Sequence, residues 1–347
     1  MKSIYYYIPA STFIERKEIY EKGMYRGELA YGAFQLEKMG IRFPNLKPLL
    51  KWYNTLNRIL YVLYLLLNFR KFDIIYSPYY SGLEYLIKLR GLGLFPRKIV
   101  VWQHSPIDRK HKIRDKIHTK LFIKGCDALC FFSEEILNET LENGYNIKDK
   151  AYILNWGPDM DFYDKIRQPY NPESKILMSG RDSRDFGTLS EVVKRMPNYQ
   201  FVIIPPNDEV SKIFLDCPNV TIKKFPSSYQ GYYDLCKETS NAALILILSK
   251  PEGGRKLPSG LTSICEATGL AKPCIITDNK YFSKTLRNAG FAKFVPVGDV
   301  DNICNQINSC MSDKSVLMKM SDSALNFAQT YDIVNMSHNL VKILNKK

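Results

Sequence analysis

Short runs of β-branched and aromatic residues recur along this chain with helix-periodic stretches between them, in two successive series. A strand followed by a helix cannot close a hairpin. The helix carries the chain back so that the next strand lies parallel to the last, and the pattern therefore dictates α/β units built on parallel sheets. In the first series the strand candidates are Ser3–Ile8, Phe72–Ser77, Lys98–Gln103, Ala128–Ser133 and Lys150–Leu154. Helical spacing falls at about Ile19–Lys38, Pro48–Phe69, Gly82–Arg90, Asp108–Lys124 and Glu134–Glu142. Asn155-Trp156-Gly157-Pro158-Asp159 then breaks the rhythm with turn residues. The second series offers strands at Lys175–Met178, Gln200–Ile204, Val220–Phe225, Ala242–Leu248, Lys272–Ile276 and Lys293–Pro296. Its helices fit Phe186–Arg195, Tyr229–Glu238, Leu261–Gly269, Asp301–Met311 and Ser315–Thr330. At 347 residues, 45% hydrophobic, the chain is long enough for two cores, so two similar halves joined near residue 160 are expected. Open α/β sheets bind ligands beyond the carboxyl ends of their strands, which makes those loops and a cleft between the halves the places to look for chemistry.

Several function classes drop out on composition. The longest apolar run, Ile59 to Leu67, is far shorter than the ~18 residues of a spanning helix. Ser3 to Pro9 lacks the apolar core of a signal peptide, so a cytoplasmic protein is expected. The eight cysteines form no Cys-x-x-Cys pair and no zinc-spaced cluster with histidine, and are read as reduced, mostly buried thiols. His111 and His118 sit among Arg and Lys that would repel a divalent ion, so no metal site is expected.

Charge is distributed unevenly. Residues 1–120 hold 22 Lys and Arg against 9 Asp and Glu, a surplus of +13 out of +14 for the whole chain. Anionic lipid and nucleic acid both suit such a surface, as does simple solubility. No recognised nucleic-acid motif lies there. In Pro48–Phe69, apolar Leu49, Trp52, Leu56, Ile59, Leu60 and Leu63 recur at helical spacing beside Lys47, Lys51, Arg58, Arg70 and Lys71. That combination fits a helix lying on an anionic membrane surface, or a buried helix of the first domain.

The stretch from Ser259-Gly260-Leu261-Thr262 through Glu266-Ala267 to Ala271-Lys272-Pro273-Cys274 reads as a glycine-opened helix, a turn and a buried strand. The free N–H groups and positive dipole end of such a helix suit a phosphate. Glu266 lies two turns in among apolar and small residues, where a carboxylate is costly unless hydrogen-bonded. The two hydroxyls of a ribose would satisfy it, as would a nearby Lys or backbone amide.

This stretch resembles the nucleotide-sugar site of the retaining glycosyltransferases of group 1, which have the GT-B fold. Glu266-Ala267 and Ala271-Lys272-Pro273-Cys274 match the second part of their signature, while the first Glu of that signature falls at Pro258. Glu252 has the wrong spacing to replace it. A second match is Gly180-Arg181, after the first strand of the second half, with Arg184 close by. Gln103-His104 ends a strand of the first half, where the family often has a His near the donor sugar and acceptor. The resemblance implies two Rossmann-like domains facing each other across a cleft: an acceptor domain over 1–158 and a nucleotide-sugar domain over 159–330. Residues 331–347, with a helix at about Ile333–Leu344, would cross back to the first. It implies transfer of a sugar from a nucleotide-diphosphate donor, UDP- or GDP-linked, to a glycan or lipid-linked acceptor, with retention of configuration and no other cofactor. Glu266 would hold the ribose. Arg181, Arg184, Lys256 and the helix opening at Ser259, Gly260, Leu261 and Thr262 would meet the diphosphate, and His104 and Arg181 would act in catalysis. Cations are wanted there because the leaving diphosphate gains charge as the glycosidic bond breaks. A turn in which Asp182 and Asp185 neutralise both arginines is the alternative. At the level of function, Pro258 leaves open a non-catalytic subunit that binds a partner enzyme or acceptor.

Overall fold

A computed structural model describes residues 2–8, 12–44, 46, 55–180, 183–250 and 256–346, with 55–58 described by backbone alone. It divides into two compact units, Met1–Trp156 with Ile333–Lys347, and Gly157–Asp332.

In the first unit, β1 (Ile4–Tyr6), β2 (Ile74–Ser77), β3 (Lys98–Gln103), β4 (Ala128–Phe131) and β5 (Ala151–Ile153) form a parallel sheet in that order. Arg42 bridges to the other edge of β1: its carbonyl accepts from Ile4 N–H at 2.8 Å, while Ser3 and Tyr7 bond toward β2. The chain thus visits one side of β1 before crossing to the other. Alternate strand residues face opposite sides, and both sides are buried, which explains the nearly continuous apolar runs. Ile4, Tyr6, Tyr76, Trp102 and Cys130 pack against α2 (Ala33–Lys38) and α15 (Ile333–Asn345), whose Ile333, Met336, Leu340 and Leu344 close this core. Lys2 Nζ donates to Leu344 O at 2.9 Å and ties the two ends of the chain together. The remaining helices of this unit are α1 (Phe13–Glu21), α3 (Thr55–Leu67), α4 (Glu84–Gly91), α5 (Ile113–Gly125) and α6 (Glu134–Glu142).

The single helix expected over Ile19–Lys38 is instead α1, a 3-10 turn at Gly27–Ala30, and α2. A capping box starts α1 early, with Thr12 N–H donating to Glu15 Oε2 at 2.7 Å and Glu15 N–H donating back to Thr12 Oγ1. Left-handed backbone at Tyr31 (φ 51°) then separates the turn from α2. Of the helix expected over Pro48–Phe69, the part from Thr55 to Leu67 is helical, and Lys47, Leu49, Lys51 and Trp52 lie outside the described residues.

The second unit holds β6 (Ile176–Ser179), β7 (Phe201–Ile204), β8 (Val220–Ile222), β9 (Leu244–Ile247), β10 (Cys274–Thr277) and β11 (Ala292–Val295), all parallel, in the order β11-β10-β9-β6-β7-β8. One face of the sheet packs on α8 (Phe186–Arg195) and α13 (Val300–Met311), through Leu189, Val192, Val193, Ile303 and Ile307. The other packs on α11 (Leu261–Gly269) and α14 (Lys314–Thr330), through Ile264, Ala267 and Ala324. Short helices α7 (Met160–Tyr163), α9 (Asp208–Lys212) and α12 (Lys284–Arg287), with α10 (Tyr229–Ser240), complete the unit.

Candidate functional site

The chain lays β6, β7 and β8 outward to one side, then returns to place β9 against the free edge of β6. Loops leaving β6 and β9 therefore diverge, and the crevice at their carboxyl ends is the binding place such sheets provide. After β6, Gly180 takes φ +127°, where a Cβ would lie 2.4 Å from Arg184 Nε. This turn folds Arg184 back over itself. Its Nε–H donates to Ser179 O at 3.0 Å, Nη1 to Ser249 Oγ at 3.2 Å and Nη2 to Ser263 Oγ at 2.6 Å. One guanidinium thus ties the end of β6, the residue two past β9 and the first turn of α11.

Gly260 caps α11 at φ +99°, with a would-be Cβ only 2.9 Å from Ile247 Cγ2. Gly260 has no side chain with which to cap this helix, and the first turn holds no acid. Asp185 and Ser228, by contrast, cap α8 and α10. The first-turn N–H groups of Leu261, Thr262 and Ser263 accordingly keep the partial positive charge of the helix end. They do so beside the Arg184 cation. Two positive sources converging on one loop suit an anion with several oxygens. Thr262 is exposed at this tip, and the buried Oγ of Ser259 has no hydrogen-bond partner among the described residues. The Asp185 carboxylate accepts from Thr188 N–H at 3.0 Å and Thr188 Oγ1 at 2.7 Å, which caps α8.

Glu266 is 5% exposed on the inner side of α11, where Thr239 Oγ1 donates to its Oε1 at 2.8 Å. Lys256 is exposed on the approach to α11. Arg181 and Asp182 lie outside the described residues, as does Glu252. Ala271, at the end of the helix, has φ 56°, the left-handed region that glycine occupies without strain. Lys272 sits at the amino end of β10, away from Arg184, with Nζ 5.0 Å from the centre of the Tyr170 ring. Burial, with a smaller push from Arg167, brings its ammonium down to about 8. Among the described residues no group of three His, Cys, Asp or Glu is placed to hold a metal ion. The sequence alone did not single out Ser249, Ser263 or Thr239.

In the first unit His104 follows β3 directly. Its Nε2–H donates to Pro78 O at 2.8 Å, leaving Nδ1 as an acceptor. Burial lowers its pKa from 6.5, with the Pro78 bond opposing, so the ring is neutral at pH 7. The unfolded chain, with the higher pKa, binds the extra proton first as pH falls below 6.5. Stability is therefore full above that pH and should decline below it. Urea melts at pH 7.5 and 5.5 should show a smaller difference for His104→Asn than for the unmodified protein. An identical difference would place the pH dependence elsewhere.

No protein-family model and no curated protein matches the chain. Solved structures do. A glycosyltransferase from Rickettsia africae ESF-5 superposes with a TM-score of 0.69 at 16% identity, over 100% of this chain and 99% of that one. Sucrose-phosphate synthase from Thermosynechococcus elongatus gives 0.69 at 14%, over 99% and 98%. Anabaena HepE, solved with UDP and glucose, gives 0.66 at 14%, over the full length of both. Likeness at this identity carries the architecture, and with a parallel Rossmann-like sheet in each of its two units this chain has the GT-B fold of those group 1 glycosyltransferases.

Proposed function

We propose that the protein transfers a sugar from a nucleotide-diphosphate donor to a hydroxyl of a glycan or lipid-linked acceptor, as a step in making cell-surface polysaccharide or glycoconjugate. The observation that carries this reading is the convergence of Arg184 on the glycine-opened start of α11 at the switch between β6 and β9. In this reading Arg184, with Arg181 and Lys256, meets the diphosphate together with the N–H groups opened by Ser259, Gly260, Leu261 and Thr262. Glu266 takes the ribose. UDP is the nucleoside diphosphate of first choice, because HepE was solved with it. His104 of the first unit is assigned to the sugar and acceptor side, and Arg181 with Arg184 steadies the leaving group. The first unit would then be the acceptor domain and the second the donor domain, and retention of configuration follows the family pattern. Incubation with a panel of UDP- and GDP-sugars in EDTA should release nucleoside diphosphate. Activity lost on chelation and restored by manganese would contradict a charge balance made by side chains. Pro258, in place of the first Glu of the signature, favours a second reading as a non-catalytic binding subunit. That reading requires that no donor be hydrolysed.

We also assign the first unit to an anionic membrane surface, at the inner face of the membrane. Among the described residues no helix is long and apolar enough to cross one. Support comes from apolar side chains left exposed, Leu67 at 84% on α3 and Ile113 at 77% on α5, the latter flanked in sequence by exposed Arg109, Lys112, Arg114, Lys116 and Lys120. Such a surface combines apolar insertion with attraction to lipid headgroups. Flotation should recover the protein with vesicles holding anionic lipid and lose it as salt rises, with a screening length of ~8 Å at physiological ionic strength. Equal recovery with neutral vesicles would count against it, and salt-sensitive binding to duplex DNA alone would point to nucleic acid.

A further inference from the structure

The carboxyl end of the first sheet ends in a hydrogen-bonded stack of aromatic side chains with one ring left open. Trp102 Nε1–H donates to Tyr76 OH at 2.7 Å, and Tyr76 OH donates to Tyr31 O at 2.7 Å. The Tyr31 hydroxyl meets Tyr79 OH at 2.9 Å. Trp102, Tyr76 and Tyr31 are buried, whereas Tyr79 is 43% exposed. The Tyr79 ring lies 4.6 Å from the His104 ring, centre to centre, and Phe132 stands edge-on to His104 at 5.0 Å. An exposed tyrosine on a loop ordinarily moves freely. Here its hydroxyl is anchored to a buried residue and its ring is braced by His104, so the open face is held in a fixed orientation.

We propose that Tyr79 is the stacking platform for a pyranose ring of the acceptor, which makes the acceptor a sugar rather than a bare lipid, a peptide hydroxyl or phosphate. This rests on the glycosyl-transfer reading and narrows its substrate class. An aromatic face carries the negative lobe of the ring quadrupole. A pyranose offers on one face a set of axial C–H groups made slightly positive by the ring's oxygens, so the two surfaces match in shape and in charge. The neutral imidazole of His104, with Nε2–H held by Pro78, presents Nδ1 as an acceptor for a sugar hydroxyl beside the platform. A lipid tail would be served by an aliphatic groove, and a phosphate by cations. Neither description fits a neutral histidine flanked by a tyrosine and a phenylalanine.

The test uses the full chain and methyl α- and β-glucopyranoside, galactopyranoside and mannopyranoside as probes, with glycerol as a polyol lacking the ring. Saturation-transfer NMR from protein aromatic protons should reach the axial C–H protons of one pyranoside face most strongly, and glycerol should show none. Tyr79→Ala should weaken the binding pyranoside by about five- to tenfold, while Tyr79→Phe, which keeps the ring, should hold it within about twofold. UDP binding is measured on the same samples. If UDP binds but no pyranoside receives transfer, or if Tyr79→Ala binds as the unmodified protein does, the platform is wrong and the transfer reading stands. If pyranosides bind through Tyr79 but no nucleotide or nucleotide sugar binds, the platform stands as a sugar site and the transfer reading falls. The face-selective transfer is read on the unmodified protein, so the outcome does not depend on the variant folding.

Discussion

Arg184→Met should weaken UDP binding by roughly ten- to hundredfold while leaving uridine binding nearly unchanged, the size expected when hydrogen bonds from a charged donor are lost. The guanidinium cannot be replaced by a point charge, because its three bonds run to Ser179 O, Ser249 Oγ and Ser263 Oγ at once. Arg184→Lys should therefore fall between methionine and the unmodified protein. Sugar transfer should suffer more than donor affinity, since the leaving diphosphate carries more charge in the transition state than in the bound donor. Ser249 is buried, so the methionine variant also leaves a hydroxyl short of a partner and should lose stability. Calorimetry with uridine and UDP separates the two effects. Equal losses for both ligands would mean that Arg184 holds the loop together and does not meet the diphosphate.

The largest loss of stability is expected for Trp102→Ala in the first unit. Trp102 is fully buried, with Tyr31 at 5.3 Å and Phe132 at 4.9 Å between ring centres. Truncation removes those contacts and the bond to Tyr76 OH, and opens a cavity too deep in the sheet to close. A cost of ~3–5 kcal/mol follows, a large share of the ~5–15 kcal/mol that holds an ordinary domain folded. Urea unfolding followed by circular dichroism measures it, with Trp102→Phe losing less. A shift below 1 kcal/mol, much less than the ~3–5 kcal/mol expected of such a site, would show that the sheet end collapses around the gap.

The sequence marks element ends well where a local cap sets them. Ser133 and Asp185 cap α6 and α8, and Gly260 opens α11, and each of these helices begins where its pattern begins. The two parallel sheets follow from the same rhythm. Ile19–Lys38 misleads because its apolar spacing runs on through Gly23 and Tyr31, where the backbone is left-handed and no helix continues. Helices α7, α9 and α12 are one turn or little more, too short for a periodic signal to show. At the candidate site, Arg184 and the Gly260 helix can be read locally, since each stands in a short recognisable stretch. Ser249 and Ser263 cannot, because their partner Arg184 is 65 and 79 residues away and the crossing from β8 to β9 brings them together. The Tyr79 anchor is hidden in the same way, its partner Tyr31 lying 48 residues earlier.

A ladder of ligands titrated into the full chain in EDTA tests the donor site most directly: uridine, then UMP, then UDP, each at low and high salt. The account predicts that affinity rises at each added phosphate, that the gain shrinks as salt rises, and that UDP is the tightest of the three. UDP binding no tighter than uridine, or binding of none of them with guanosine diphosphate equally inert, would contradict a diphosphate site at Arg184 and the start of α11.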